Sequence, residues 1–111
     1  SPVWDTGIAL YALTDCGLTA RDELVRRAAH WLVEKECRHV GDWIGNLPTF
    51  AEQEGFGWYF EYHNAWYPDC DDTAMVAMAL KRAGEHNAVA AAKRGVAWLL
   101  AMQNDDGGWG E

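Results

Sequence analysis

Apolar residues recur with helical spacing over four stretches of the chain, and one long segment between them shows no sustained period. The four stretches are residues 3–16, 19–37, 69–84 and 87–102. Only two residues separate the first stretch from the second, and only two separate the third from the fourth. The pattern therefore predicts an all-α fold built from two helical hairpins, at about residues 3–38 and 69–103.

Residue types at the helix ends and along one face support this interpretation. Gly17 is placed to end the first helix, and Thr19 with Asp22 has the spacing of a capping box for the second. We expect the second helix to reach about Cys37. The predicted apolar faces are Ile8, Tyr11 and Ala12; Leu24, Val25, Ala28, Trp31 and Leu32; and Val89, Ala92, Val96, Leu99 and Leu100.

The two hairpins are copies of each other. A shift of 67 residues aligns residues 5–36 with the second hairpin, without a gap, and gives eight identities in 32 pairs. A single helical pair cannot bury its apolar face, so we expect the pairs to stack in a solenoid or closed ring larger than this chain. Because the chain has neither an initial Met nor a tail, we expect it to be an internal fragment.

The connection between the hairpins, residues 39–68, carries half of the aromatic residues. Seven of the fourteen fall between positions 56 and 67. The alternation of Trp58, Phe60 and Tyr62 would put three rings on one face of an extended segment. These rings either pack the connection onto the helices or line a site, and long ordered connections are often functional.

Three carboxyl groups follow the rings within four residues: Asp69, Asp71 and Asp72. Like charges this close cannot all ionise cheaply, so we expect one of the acids to hold a proton near neutral pH. The simpler interpretation is a helix start, where carboxylates cap free N–H groups. The repeat gives Asp72 the capping-type position that Asp5 fills in the first hairpin, whereas Asp69 and Asp71 align with uncharged residues. The repeat itself therefore does not require Asp69 and Asp71.

Charge and cysteine content argue against several classes of protein. Seventeen acidic and nine basic residues give a net charge of -8, which disfavours nucleic acid and an electrostatically held anionic membrane surface as partners. Three widely spaced cysteines support neither a disulfide framework nor a zinc site, and favour a reducing, cytosolic compartment. No apolar run approaches the ~20 residues that span a bilayer.

Acids beside aromatic rings suit carbocation chemistry. A carboxylic acid that protonates a carbon–carbon double bond creates a carbocation, and ring faces attract positive charge by about 2 kcal/mol without quenching it. The same carboxylates could instead bind Mg²⁺ together with a diphosphate. The metal alternative ranks second, because Lys81 and Arg82 lie towards the far end of the helix.

Three motifs together resemble the squalene-hopene cyclases, a family of class II triterpene cyclases. They are Ser-Pro-Val-Trp-Asp-Thr-Gly at residues 1–7, Tyr-Pro-Asp-Cys-Asp-Asp-Thr-Ala at 67–74, and a Gln-Trp motif at 103–109. The resemblance covers essentially the whole chain. It implies part of an (α/α) barrel of the terpene cyclase/prenyltransferase type, in an enzyme that cyclises squalene to a hopanoid-type triterpene through cations.

The resemblance also implies roles for individual residues. They are the general acid Asp71, its modulating and reloading partners Asp69 and Asp72, the network acid Asp5, the cavity-wall residue Trp4, and the cation-stabilising ring Phe60. Gln103 and Trp109 would stitch helices together without a catalytic role. Neither a metal nor a cofactor is implied.

The resemblance further implies an isoprenoid substrate, a homodimer, and a cytoplasmic enzyme with peripheral, monotopic membrane association through segments outside this chain. We expect the isolated chain to be inactive, because a closed apolar cavity needs more helices. Two alternatives stay open. One is a class II diterpene cyclase acting on a prenyl diphosphate, which shares the Asp-x-Asp-Asp-Thr-Ala pattern. The other is a noncatalytic helical-ring module that binds a lipid or protein, against which the intact Asp71 argues.

Overall fold

Four helices form the regular structure of the chain. The computed structural model describes residues 1–38, 55–59 and 68–110. The helices are α1 (Pro2–Asp15), α2 (Glu23–Glu34), α3 (Cys70–Ala83) and α4 (His86–Ala101). Within the described residues all regular structure is helical, which confirms the predicted all-α class. Most of the predicted connection at 39–68 lies outside them.

Glycines follow α1 and α3 where the sequence predicts. Gly17 has φ 104° and Gly84 has φ 78°, the left-handed conformation that glycine adopts without a steric penalty. After α1 the Leu18 N–H donates to the Leu13 carbonyl at 3.1 Å, which satisfies a carbonyl in the last turn of the helix. The two glycines are 67 residues apart, so the repeat extends to the turn that ends the first helix of each pair.

The second helix is shorter than predicted. It begins at Glu23, with Asp22 as its N-cap, and it ends at Glu34. The Thr19 N–H donates to the Asp22 carboxylate at 2.8 Å, but this bond closes a turn that precedes the helix. The N-cap of α2 therefore lies three residues after the predicted N-cap, Thr19, because the Thr19–Asp22 hydrogen bond stabilises a turn before the helix.

A short segment without regular structure, residues 55–59, lies beside the end of α2. The Cys37 N–H donates to the Gly57 carbonyl at 2.7 Å, and the Phe56 N–H donates to the Cys37 carbonyl at 2.8 Å. These bonds give the Cys37 backbone partners that a longer α2 would have supplied. The prediction that α2 reaches Cys37 was wrong for this reason.

The central helix is α3, which packs most extensively against α1 and α4. Gly7 allows α1 to approach closely, since a Cβ there would lie 3.3 Å from Cγ of Met75 and 3.4 Å from Cγ2 of Val76. The main core combines buried side chains of all four helices with Trp58 from the segment at residues 55–59. The site at the start of α3 is thus held from several sides.

The buried faces differ from the predicted faces at several positions. The buried residues of α1 are Val3, Gly7, Leu10 and Thr14, whereas Ile8 and Ala12 of the predicted face are exposed. Exposed too are Leu24, Val96 and Leu100. A pattern of large apolar residues misses a contact made through glycine.

None of the helices in the described part of the chain combines the length and apolar character that crossing a membrane requires.

Candidate functional site

The three acids lie in the first turn of α3. Asp69 is the N-cap, and its carboxylate accepts the Asp71 N–H at 3.1 Å. The Asp71 carboxylate accepts the Asp72 N–H at 3.1 Å. Both bonds satisfy N–H groups at the positive end of the helix dipole. The expectation that Asp72 takes the capping position was wrong, because Asp69 reaches the free N–H groups first and Asp72 is the third residue of the helix.

The acids differ in their exposure to solvent. Asp71 is exposed, Asp69 is half-buried, and Asp72 is fully buried. Neither carboxylate oxygen of Asp72 accepts a hydrogen bond within the described part of the chain. An ionised carboxylate that is buried without hydrogen bonds is costly, so this position favours the protonated acid.

Two of the acids have raised pKa values. Burial is the main cause that raises the pKa of Asp72 to about 6, and the charges of Asp69 and Asp71 act in the same direction. Burial also comes first among the causes that raise the pKa of Asp69 to about 6, followed by a hydrogen bond with the Asp71 side chain and by the Asp71 charge. The cluster can therefore store protons up to mildly acidic pH.

The same cluster has a spacing that suits a cation. One oxygen from each of the three acids lies within 4.8 Å of the other two. Carboxylate oxygens are hard ligands of the kind that Mg²⁺ and Ca²⁺ accept. Among the described residues, no lysine or arginine forms an ion pair with the cluster. The geometry alone thus admits either a stored proton or a divalent cation.

The peptide of Trp58 holds the start of α3 in place. Its carbonyl accepts the Asp69 N–H at 2.7 Å and the Thr73 hydroxyl at 3.2 Å. Its N–H donates to the same hydroxyl at 2.9 Å. Thr73 is not among the predicted site residues, although the repeat aligns it with Thr6 and so identifies it as a residue that both hairpins retain.

The rings in the described part of the connection have a packing role. Phe56, Trp58 and Tyr59 are all buried. Trp58 belongs to the main core, and Phe56 packs with Trp98 in a smaller cluster. Of the two interpretations offered for these rings, packing onto the helices is the one observed. Phe60 and its predicted role lie outside the described residues.

Asp71 opens onto a groove of about 540 Å³. The other lining residues are Cys70, Ala74, Leu99, Trp109 and Gly110. Among the described residues that line this groove, Asp71 is the only charged one. Ala74 and Leu99 also line a second groove of about 460 Å³ along α3 and α4. A molecule in the first groove would meet an acid among largely apolar side chains.

The two predicted site residues on α1 stand apart from these hydrogen bonds. The Asp5 side chain is 77% exposed and lies 3.8 Å from the Ser1 amino group. No hydrogen bond or ion pair joins Asp5 to the three acids within the part of the chain that the structure describes. Trp4 is partly exposed. The roles suggested for Asp5 and Trp4 stay predictions.

The Gln-Trp motif folds onto the end of its own helix. The Trp109 indole N–H donates to the Leu99 carbonyl at 2.7 Å, and the Gln103 amide donates to the Gly107 carbonyl at 2.7 Å. These bonds secure the loop after α4. They do not join one helix to another, and the predicted stitching role has no counterpart among the motif's described hydrogen bonds.

Glu36, the counterpart of Gln103, forms a buried ion pair between the two repeats. Nε and one terminal nitrogen of Arg94 donate to the two Glu36 carboxylate oxygens at 2.9 and 2.7 Å. The Glu36 side chain is fully buried and that of Arg94 is 22% exposed. This pair was also missed, although the identity of Arg27 and Arg94 in the repeat signalled a retained arginine.

Several known proteins are similar to the chain. The squalene-hopene cyclase of Schizosaccharomyces japonicus is 42% identical over 118 residues, which cover 99% of this chain and 18% of that protein. That of Alicyclobacillus acidocaldarius is 38% identical over 113 residues, 99% of this chain and 17% of that protein. Sporulenol synthase of Bacillus subtilis is 42% identical over 109 residues, 98% of this chain and 16% of that protein.

The chain thus spans less than a fifth of the length of these three relatives. Over its whole length, residues 1–111, it matches the family described as the squalene-hopene cyclase C-terminal domain. The chain belongs to this family, the squalene-hopene cyclase C-terminal domain family.

Proposed function

We propose that the longer protein containing this chain is a class II triterpene cyclase that protonates a terminal alkene of squalene. The observation that carries the proposal is the exposure of Asp71 at a largely apolar groove. Asp69 and Asp72 are more buried than Asp71, and burial is the main cause that raises the pKa of each to about 6. Relatives named squalene-hopene cyclase and sporulenol synthase support the substrate class.

Asp71 is the general acid of the proposed reaction. Its O–H bond breaks as a C–H bond forms at the alkene, and the π electron pair that makes this bond leaves a carbocation on the neighbouring carbon. Asp71 becomes a carboxylate, whose negative charge faces the new cation and stabilises it. The carbocation then reacts with the next double bond of the same substrate, and the rings form in succession.

Asp69 and Asp72 serve as proton reservoirs behind the general acid. Carboxylate oxygens of Asp69 and Asp71 lie within 4.8 Å of each other, so the two acids are close enough to exchange a proton. Asp72 adds a second acid whose buried position favours the neutral form. Below about pH 6, where Asp69 and Asp72 hold their protons, these two acids add no negative charge around Asp71. A charge that appears only on proton transfer favours the transition state over the ground state.

Water must be kept from the cation, because it would quench the cation before the rings close. The described residues leave this groove open to solvent, and further helix pairs of the longer protein would close it as part of an (α/α) barrel. The isolated chain should therefore be inactive. Cytoplasmic location, peripheral membrane association and a homodimer would likewise be properties of the longer protein.

The test is squalene cyclisation by the full-length protein in excess chelator. We expect the same polycyclic product with and without chelator, and at least a 100-fold loss in Asp71→Asn, because a general acid contributes about 10²–10⁴-fold. Asp15→Asn is the matched control, since Asp15 is exposed and pairs with Arg82 away from the cluster. Full activity of Asp71→Asn would refute the assignment.

The alternative to a triterpene cyclase is a diterpene cyclase. The spacing of the three acids supports this alternative, because it would also suit a divalent cation. It predicts turnover of a prenyl diphosphate in place of squalene. Incubation of the same protein with both substrates separates the two proposals. Turnover of the diphosphate alone would replace the triterpene assignment.

A further inference from the structure

The Thr73 hydroxyl closes a two-bond clamp on one peptide group. Thr73 is fully buried, and its hydroxyl accepts from the Trp58 N–H and donates to the Trp58 carbonyl. One hydroxyl can donate only one hydrogen bond, so these partners use its proton and one of its lone pairs. The Thr73 side chain thereby provides a hydrogen-bond partner for both the N–H and the carbonyl of Trp58, a buried residue that lies outside the helices.

The clamp joins three helices around the acids. The Trp58 carbonyl that binds Thr73 also accepts the Asp69 N–H, which fixes the N-cap of α3. At the other side of Trp58 its indole N–H donates to the Leu32 carbonyl, near the end of α2, at 2.7 Å. On α4, a Cβ at Gly95 would lie 3.0 Å from the Trp58 ring and 3.2 Å from Cγ2 of Thr73.

The backbone at Gly57 approaches the Thr73 hydroxyl so closely that only glycine fits there. Gly57 has φ 94°, and a Cβ there would lie 2.5 Å from Oγ1 of Thr73, closer than real Cβ atoms come. The backbone reaches the hydroxyl because neither Gly57 nor Gly95 carries a side chain. This close fit leaves the Trp58 peptide little freedom to move relative to the first turn of α3.

We propose that Thr73 is a positioning residue, which acts through the Trp58 peptide to hold Asp69, and with it Asp71, in the geometry for proton transfer. The inference rests on the proposed function, since it assigns Asp71 as the acid. The clamp does not touch the substrate groove, because neither Thr73 nor Trp58 lines it. Its effect is therefore on the chemical step and not on substrate binding.

The test compares three variants of the full-length protein. Thr73→Val keeps the branched shape but loses both hydrogen bonds, and Thr73→Ser keeps the hydroxyl. Thr14→Val is the matched control, because the buried Thr14 hydroxyl bonds only to carbonyls of its own helix, Leu10 and Tyr11. We expect Thr73→Val to lower kcat for squalene by about 10- to 100-fold with KM within about twofold. Thr73→Ser should recover kcat to within about threefold, and Thr14→Val should leave it unchanged.

Hydrogen exchange provides a readout that needs no substrate. The amides of Trp58 and Asp69 should exchange about tenfold faster in Thr73→Val than in wild type, and Thr73→Ser should restore their protection. Gly95→Ala keeps every hydrogen-bonding group but crowds the clamp, and should show the same loss of kcat with little change in KM. If Thr73→Val fails to fold, Gly95→Ala still tests whether the clamp positions the acids.

Distinct results identify which claim fails. A folded Thr73→Val that retains kcat within about twofold, or that exchanges like wild type, overturns the positioning role. Equal losses in Thr73→Val and Thr14→Val overturn it too, because they would show a general effect of losing a buried hydroxyl. A wild-type protein inert towards squalene refutes the proposed function, and the exchange comparison then still decides the clamp.

Discussion

Asp72→Asn replaces a fully buried carboxyl group with a neutral side chain of nearly the same shape. Asp72 is 0% exposed, and within the described residues its carboxylate oxygens accept no hydrogen bond. Its pKa rises from an ordinary value of 3.8 to about 6, first because of burial and then because of its acidic neighbours. The folded state therefore binds this proton more tightly than the unfolded state does.

The direction of the pH effect follows from that difference. Below pH 3.8 the carboxyl is largely protonated in both states and its ionisation has little effect on stability. Between pH 3.8 and about 6 the unfolded state is ionised while the folded state keeps its proton, so the penalty on folding grows over this range and is nearly constant above it. At pH 8 the penalty is about 3 kcal/mol, from a shift of roughly two pKa units at 1.36 kcal/mol each. Asp72→Asn removes it.

Urea unfolding of wild type and Asp72→Asn measures the effect. Tryptophan fluorescence can report the transition, because Trp58 and Trp98 are buried. The stability gained by the variant should be under about 1 kcal/mol at pH 4 and rise towards about 3 kcal/mol at pH 8. Asp15→Asn, at an exposed position, should show no comparable rise. A gain for Asp72→Asn that stays constant over this range would show that the Asp72 carboxyl group ionises alike in the folded and unfolded states, contrary to the burial argument.

Three further substitutions test the packing around the site. Glu36→Ala should lower the free energy of unfolding by about 2 kcal/mol or more, because it removes one partner of a buried ion pair, and Glu36→Gln should cost less; equal losses in urea titrations would contradict this. Gly95→Ala should cost about 1–3 kcal/mol by overpacking, whereas Gly110→Ala, with its nearest atom at 4.0 Å, is the control and should leave the thermal midpoint unchanged. Trp109→Phe should cost about 1 kcal/mol by losing its indole hydrogen bond; an unchanged urea midpoint would show that this bond adds no stability.

The helices could be predicted because local signals determine most of their bounds. Apolar spacing and Gly84 locate α3, and its predicted end agrees with the structure. The start of α2 was harder to predict from the sequence, because the Thr19–Asp22 bond is compatible with both a helix start and a turn before the helix. The buried face of α1 depends on contact with another helix through Gly7, a residue that a hydrophobic pattern undervalues.

The site was predictable in composition but not in arrangement. Three acids in four residues can be recognised without a structure, as can the electrostatic reason for a retained proton. Which acid is buried depends on packing between helices, and Asp72 proved to be the buried one. The clamp on Trp58 and the Glu36–Arg94 pair join residues 15 and 58 positions apart, a distance at which sequence spacing carries no geometric information.

Squalene cyclisation in deuterated water, run side by side with full-length wild type and Asp71→Asn, tests whether Asp71 delivers the proton that starts the reaction. We expect wild type to yield a polycyclic product with one non-exchangeable deuterium per molecule, delivered by the exchanged Asp71 carboxyl group. We expect Asp71→Asn to yield at most about a hundredth as much product. Equal yields from the two proteins, or a product without solvent deuterium, would contradict the assignment of Asp71 as the acid that starts the reaction.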